Sequence, residues 1–593
     1  MKALRCRRWV LCVVAIGLLG SGWAWAEESV SQAMDSVVNR LYATKSLDEL
    51  YAITNKQIEN FITPEERHAF ATQHWCFDVN VPVVVSVMHD VDQKTPPFWL
   101  REDGFKKTGM IVKNMENWKY AVWQKKFPAG RVELGINGFD KFRAHYFVCV
   151  GPQTPGTKVT LSNFYPAGQE IEVMKPGSLI YHDWTELVLT QVPKALLGQQ
   201  LLPTSRGRSV DAALIGSFRK TLFPSSDKPD LLYLTWSGDP HTTQTIQWRT
   251  DSKVKDGVAR YRKKGAKNYS VVKGTFSSMD DRMLANDRVC NWHVAVVRGL
   301  TPGTTYEYQV GSPTANTWSA WTEFKTEPEN PKQFSFFWAS DVHSNVHWGH
   351  LQTAVFKKHP EAAFCVLSGD LVRTGAERGD WDEMLKYGEP MYRTRPIMPA
   401  VGNHDAQYGL GAGMYLQIFN LPKNGPKALK PNSAYTFSYG NTEFFVLDVM
   451  ADTKAQTVWL KKQLAKSTAT WKIVMFHFPI YWFEDESPDL GVAWGPLIDK
   501  YHVDLVLMGH IHEYTRTYPM YGGKRVASTA KGTVYYTTIS IPHHSPNHPQ
   551  PAYIEKWIKN IPFAVEITIK GKHLGLTAYE KDGSVGDTYA MDK

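Results

Sequence analysis

At 593 residues the chain is longer than a single hydrophobic core supports, so two to four domains are expected. Its 43% apolar and 13% aromatic residues exclude a disordered chain. The formal net charge of +9 shrinks once residues 1–26 are set aside, because Lys2, Arg5, Arg7 and Arg8 lie there and no acid does. That leaves 63 Lys+Arg against 58 Asp+Glu, a mild excess with no long basic run, which implies neither nucleic acid nor an anionic membrane as a partner.

Residues 1–26 read as a secretory signal peptide. The basic start is followed by an apolar run from Trp9 to Leu19, short for spanning a bilayer, and by the small-residue site Ala24-Trp25-Ala26. Cleavage is expected before Glu27, and Cys12 lies too close to the charged start for a lipoprotein cysteine. No later stretch reaches membrane-spanning length, so an exported product, periplasmic or extracellular, is expected, with no transmembrane segment in the mature chain. Cys76, Cys149, Cys290 and Cys365 remain after cleavage and show no CxxC or zinc-knuckle spacing. An oxidising compartment would allow disulfides, and Cys76 with Cys149 is one candidate pair; Cys365 sits inside a buried-strand pattern.

Residues 27–72 read as helical, with apolar residues at mixed three- and four-residue intervals and a helix-start signature in Thr63-Pro64-Glu65-Glu66. Residues 73–203 turn strand-rich: VPVVVSVM, YAVWQKKF, RVELGI, HYFVCV, KVTLSNF and SLIYHDW are separated by turn residues. This predicts a β-rich accessory domain. Exposed aromatic residues there would suit a polysaccharide or cell-wall contact; the competing reading packs Trp99, Trp118, Trp123 and Trp184 into a core or interface. Residues 204–229 read as a linker with a short helix over VDAALIGSF. Residues 230–327 alternate at period two in LLYLTWSGD, TTQTIQWRT, NWHVAVVRGL, TYEYQVGS and WSAWTEFKT, the pattern of a small β-sandwich. A third unit runs over residues 331–580, with a Gly-, Pro- and Asn-rich loop at 406–432 and a closing edge hairpin in FAVEITIKGKHLGLTAYEKDG.

That last unit carries the chemistry. FSFFWASDVH, AAFCVLSGDLV and IMPAVGNHDA are apolar runs that end abruptly in ligand-type residues: Asp341, His343, Asp370, Asn403 and His404. WKIVMFHF ends in His477, and VDLVLMGHIH in His510 and His512. Short β-branched and aromatic runs of this kind read as buried strands, and ligands of open α/β sheets bind outside the carboxyl ends of the strands. A single Asp or His at a strand end is ordinarily a cap or turn residue. A converging set of such side chains has no use in packing, and burying each unpaired would cost several kcal/mol, roughly. Carboxylate with imidazole suits divalent Mn, Zn, Fe, Ni or Co. The surplus of ligands over what one ion needs suits two ions about 3.5–4 Å apart, as in hydrolytic two-metal sites.

The ordered set DVH, GDLV, GNHD, FH and GHIH resembles the calcineurin-like metallophosphoesterase superfamily. The flanks YTFSYGNTEFFVLD, QTVWL and GHIHEYTRTYP resemble its purple acid phosphatase branch, and GLTPGTTYEYQVG resembles the fibronectin-III-like domain that precedes the catalytic domain there. The resemblance covers about residues 230 to 580. It implies a β-rich accessory domain, a fibronectin-III-like β-sandwich and an α/β metallophosphoesterase domain built as an αββα sandwich. It further implies Asp341, His343 and His512 on a first metal, Asn403, His477 and His510 on a second, and Asp370 bridging. His404 then assists the leaving group, with Asp405 orienting it. Purple enzymes follow GD by two residues and a tyrosine ligand; here Arg373 stands at that place, and His343 stands where the purple enzymes carry glycine. Arg373 is expected to be ion-paired or exposed rather than a phosphate contact. His347 and His350 are expected on a surface as much as in the cleft, and Pro542-His543-His544-Ser545-Pro546 is a candidate lining of the substrate mouth.

The expected function is a secreted phosphohydrolase with two divalent ions (Mn, Zn or Fe) acting on a small phosphate monoester. Diester or nucleotide cleavage by the same site is the near alternative, decided by the loops at 344–350, 374–395, 406–432 and 480–495. A surface or carbohydrate-binding protein with an inert metal domain is the alternative of another class. No nucleic acid-binding module is evident.

Overall fold

The computed structural model describes residues 29–142, 144–184, 187–406, 409–481, 488–544 and 549–593. The expected signal peptide, parts of the loops at 406–432 and 480–495, and Ser545-Pro546 lie outside these residues.

Four short helices open the described chain, Val30–Thr44, Leu47–Tyr51, Asn55–Phe61 and Pro64–Thr72. Each starts at a hydroxyl residue (Ser29, Ser46, Thr54, Thr63) that accepts from the third helical N–H, while Gln32, Glu49, Gln57 or Glu66 reaches back to the cap. Helices this short are marginal alone and owe their stability to packing. Their apolar residues, Met34, Val37, Leu41, Ile58 and Phe70 among them, share one core with Trp75, Val85, Trp99, Val148 and Leu202 of the strand-rich region that follows. That region holds a seven-stranded and a three-stranded sheet.

Trp99 and Trp123 are buried, and Trp118 meets Trp184 edge to face at 6.0 Å against a second small core. The four tryptophans considered for carbohydrate contact are therefore packed inward. The expected linker at 204–229 is also packed: Ala212, Leu214 and Phe218 belong to the same core as the helices. Its expected helix over Val210–Phe218 is replaced by a 3-10 turn at Arg206–Val210. Cys76 and Cys149 are buried but unpaired, like Cys290 and Cys365, so the candidate disulfide is not formed. Cys76 lies in the three-stranded sheet and Cys149 in the seven-stranded one.

Next come two packed sheets of four and five strands, closed around Leu234, Trp248, Tyr308, Val310 and Phe324. The last unit pairs a six-stranded with a seven-stranded sheet. Phe336, Trp338, Val366, Phe444, Ile473, Leu505 and Ile567 fill the layer between them. The alternate residues Phe445, Val474, Phe476 and Val506 pack on the other face, against Trp459 and Leu464 of helix Thr453–Lys466 and Trp494 of helix Pro488–Lys500. Strands buried on both faces are why these segments read as continuous apolar runs. The closing hairpin is not at an edge. Its strand Ala564–Lys570 pairs with Gln333–Ala339 in the middle of the six-stranded sheet, and the sheet continues past residue 580 to an outer strand, Val585–Asp592. Among the described residues no helix is long and apolar enough to cross a membrane.

Candidate metal centre

Gln333–Ala339, Cys365–Leu367 and Ile397–Pro399 run parallel in one sheet, and Trp471–Met475 and Leu505–Met508 run parallel in the other. Asp341 and His343 follow the first strand, Asp370 the second, Asn403 and His404 the third, His477 the fourth, and His510 and His512 the fifth. Asp341, His343, Asp370, His510 and His512 all hold positive φ, between 45° and 74°. Non-glycine residues in this region cost energy, and such strain gathers where surrounding structure fixes a functional geometry.

Two groups result. Ligand-type atoms of Asp341, His343, Asp370 and His512 lie within 4.8 Å of one another, and so do those of Asp370, His477 and His510. Asp370 is common to both. His512 Nε2 is 3.2 Å from Asp341 Oδ1 and 3.0 Å from His343 Nε2. His343 Nε2 is 3.8 Å from both Asp341 and Asp370, and His477 Nε2 is 3.2 Å from Asp370 Oδ2. Asn403 Oδ1 is buried without a hydrogen-bond partner, and Asp370 Oδ2 and His477 Nε2 are buried with only each other as polar partner. A buried amide oxygen is rarely left so, and a cation would take Asn403 Oδ1 together with the other two. The donor set fits divalent ions.

Electrostatics follow from burial and crowding. Burial raises the Asp341 carboxyl, but His477 and His512 outweigh it and hold the group at about 2. Asp370 is likewise held well below the carboxylate range by His477, His404 and His343 against the effect of burial. His477 is fully buried, yet Asp370 and Asp341 raise it to about 9. His343 is pushed down to about 4 by burial despite the same two carboxylates. The carboxylates thus stay anionic and draw positive charge, whether protons or metal.

The backbone sets the orientations. His477 Nδ1 lies 2.9 Å from Ser368 O, so its Nε2 is free to face Asp370. His404 Nδ1 lies 2.7 Å from Arg373 O, its own N–H donates to Asp370 Oδ1, and its Nε2 stands 4.0 Å from Asp370 Oδ2. The Asp405 carboxylate, expected to orient His404, is engaged by backbone N–H groups. Its Oδ1 accepts from the N–H groups of Leu371 and Val372 and its Oδ2 from Gly402, which binds the Asp370 loop to the Asn403 loop. The glycine of GNHD is required by close approach: a Cβ at Gly402 would sit 2.2 Å from Asp370 Oδ1. The glycine of GHIH is required likewise, since a Cβ at Gly509 would sit 2.3 Å from Asp341 Oδ2.

Arg373 pairs with Asp380 at 2.8 Å and Glu383 at 2.6 Å, so its side chain is ion-paired. His347 and His350 are exposed on helix Val346–Lys358. His543 does reach the site, with Nδ1 3.4 Å from His512 Nδ1. Sequence reasoning missed Ser368, whose carbonyl anchors His477; it lies just before the GD motif but has no ligand chemistry of its own.

Two family models match, "Purple acid Phosphatase, N-terminal domain" over residues 229–326 and "Calcineurin-like phosphoesterase" over residues 334–514. Purple acid phosphatase 23 of Arabidopsis thaliana is 22% identical over 56% of this chain and 81% of its own length. Uncharacterized protein Rv2577 of Mycobacterium tuberculosis is 25% identical over 49% of this chain and 62% of its own. Two other Arabidopsis relatives, at 22–23% identity, bear the names "Probable inactive purple acid phosphatase 1" and "Probable inactive purple acid phosphatase 24". The solved purple acid phosphatase PPD1 from yellow lupin seeds superposes with a TM-score of 0.53 at 15% identity, covering 88% of this chain and 94% of that one, which shows a shared fold. With the five motifs at five strand ends, residues 334–514 carry a calcineurin-like phosphoesterase domain behind a purple acid phosphatase N-terminal domain at 229–326, an order that fits the purple acid phosphatase-like branch, with Arg373 in place of the purple-type tyrosine.

Proposed function

We propose that the chain is an exported phosphohydrolase with a dinuclear metal centre, acting on phosphate monoesters. The observation that carries the reading is Asp370: one buried carboxylate shared by two ligand groups, beside the unsatisfied Asn403 Oδ1. Asp341, His343 and His512 would hold one ion, Asn403, His477 and His510 the other, and Asp370 both. Ions bound there supply Lewis acidity to a phosphoryl oxygen and acidify a water for in-line attack.

The chain's own residues do the rest. Asp341 and Asp370, kept ionised by the surrounding imidazoles, fix the anionic frame of the site. His404, tied at Nδ1 to the Arg373 carbonyl, directs Nε2 to the site edge. Protonated there, it stabilises charge on the phosphoryl group and passes its proton to the departing alkoxide. Export rests on the basic start, apolar run and Ala24-Trp25-Ala26 of residues 1–26. Purified metal-loaded protein should hydrolyse nitrophenyl phosphate faster than the bis-ester. Metal-loaded protein that hydrolyses neither would refute catalysis, and preference for the bis-ester would refute the monoester assignment.

A further inference from the structure

The overall charge balance hides where the positive charge sits. From Lys253 to Lys273 eight residues are Lys or Arg and only Asp256 is acidic. The local excess of seven is larger than that of the whole chain after residue 26, +5. The hairpin of Val258–Lys263 and Ser270–Lys273, at the edge of the five-stranded sheet, carries Arg260, Arg262, Lys263 and Lys273, with Lys264 and Lys267 between its strands. Ala259 and Val272 turn into the core, whereas the cross-strand pairs Arg260 with Val271 and Val258 with Lys273 share the opposite face.

On that face the Arg260 guanidinium lies 3.3 Å from the ring centroid of Trp318 and 5.0 Å from that of Tyr269, and Arg262 lies 4.5 Å from that of Trp321. Arg262 and Lys264 have carboxylate partners, Glu307 and Glu323. Lys253, Lys255, Arg260, Lys263, Lys267 and Lys273 have none within 4.0 Å among the described residues. Tyr269 and Val271, beside them, are 46% and 56% exposed.

We propose that this hairpin edge, with the turn that joins its strands, docks the protein onto an anionic lipid surface. Unpaired cations around an exposed ring and an exposed aliphatic side chain fit a charged headgroup layer above an apolar interior. Arg260 and Arg262 each already occupy one face of the Trp318 and Trp321 indoles, and Val271 offers nothing to a sugar or phosphate polymer. Lipid is the partner that uses both the charge and the apolar tip.

The test is flotation of the full mature chain with vesicles of phosphatidylcholine alone and of phosphatidylcholine with an equal part of phosphatidylglycerol, at low and physiological salt. Binding to the mixed vesicles, weakened by salt and absent from the neutral ones, is expected. The triple variant Lys263→Ala, Lys267→Ala, Lys273→Ala should bind more weakly by about fivefold per cation, on the order of 100-fold in all. Val271→Ser, which keeps every charge, should also bind more weakly. Melting temperature and hydrolysis of a soluble ester should be unchanged in both, which separates lost docking from lost folding. Equal binding to neutral vesicles, no binding to either, an unaffected triple variant or an unaffected Val271→Ser would overturn the proposal. So would capture by a DNA oligonucleotide or dextran sulfate without vesicle binding.

Discussion

Replacing Asp405 by asparagine separates the charge of this side chain from its shape. In the protein Oδ1 accepts at 2.9 Å from Leu371 N–H and at 3.2 Å from Val372 N–H, and Oδ2 accepts at 2.9 Å from Gly402 N–H. An amide of the same size keeps one oxygen for the Leu371 side but turns an NH2 group onto the Gly402 N–H. One buried donor then loses its acceptor and faces another donor, at a cost of about 1–3 kcal/mol. The disturbed loops carry Asp370 and Asn403, so metal affinity should also fall, about 10–100-fold, as when an outer-shell partner of a metal ligand is removed. Guanidinium unfolding of the metal-free protein, following the transition of the catalytic unit, measures the first effect. Competition with a chelator measures the second. Should Asp405→Asn keep wild-type stability and metal affinity while losing turnover as His404→Ala does, the reasoning is refuted and Asp405 acts through His404 after all.

Asp370→Asn should remove metal and activity together, because both ligand groups share that carboxylate; two tightly held ions with normal turnover would contradict the site. His404→Ala should keep its metal and turn over roughly 10²–10⁴-fold more slowly on an ester with a poor leaving group, and an unchanged rate there would exclude its proton-donor role. Burial pushes the Asp448 carboxyl from 3.8 to about 6, against hydrogen bonds from Ser433 and the Met450 N–H. Because the folded state holds this proton more tightly than the unfolded one, stability falls as pH rises from about 4 to about 6 and stays lower above. Asp448→Asn should flatten that part of the stability curve and be more stable than the parent at neutral pH; a curve parallel to the parent's would contradict this. With Arg373 at the tyrosine position and the neutral ligand His343 available, the protein should be colourless with Mn, Zn or Fe(II) and most active near neutral or alkaline pH. A visible spectrum, metal analysis and pH–rate profile check this, and a purple protein active in strong acid would reverse it.

Much of the candidate centre was legible in the chain itself. A strand buried on both faces leaves a continuous apolar run, and the residues just past it are named by the run's end. Asp341, His343, Asp370, Asn403, His477, His510 and His512 could therefore be picked out by local pattern alone, before any strand was placed. What those residues touch is decided by contacts far apart in the chain. Asp405 stands next to His404, yet its acceptors are used by Leu371, Val372 and Gly402, because the Asp370 loop presents free N–H groups where the GNHD turn passes. Alternation marks Ala564–Lys570 as a strand but not its neighbours, so only the assembled sheet puts it beside Gln333–Ala339. The tryptophans of the accessory region fitted a surface or a core by pattern, and only the fold put Trp99 and Trp123 in one core with helices Val30–Thr44 and Pro64–Thr72. Net charge is a sum and carries no position; only the hairpin register sets Arg260 opposite Val271 and Lys273 opposite Val258 on one face of the sheet edge.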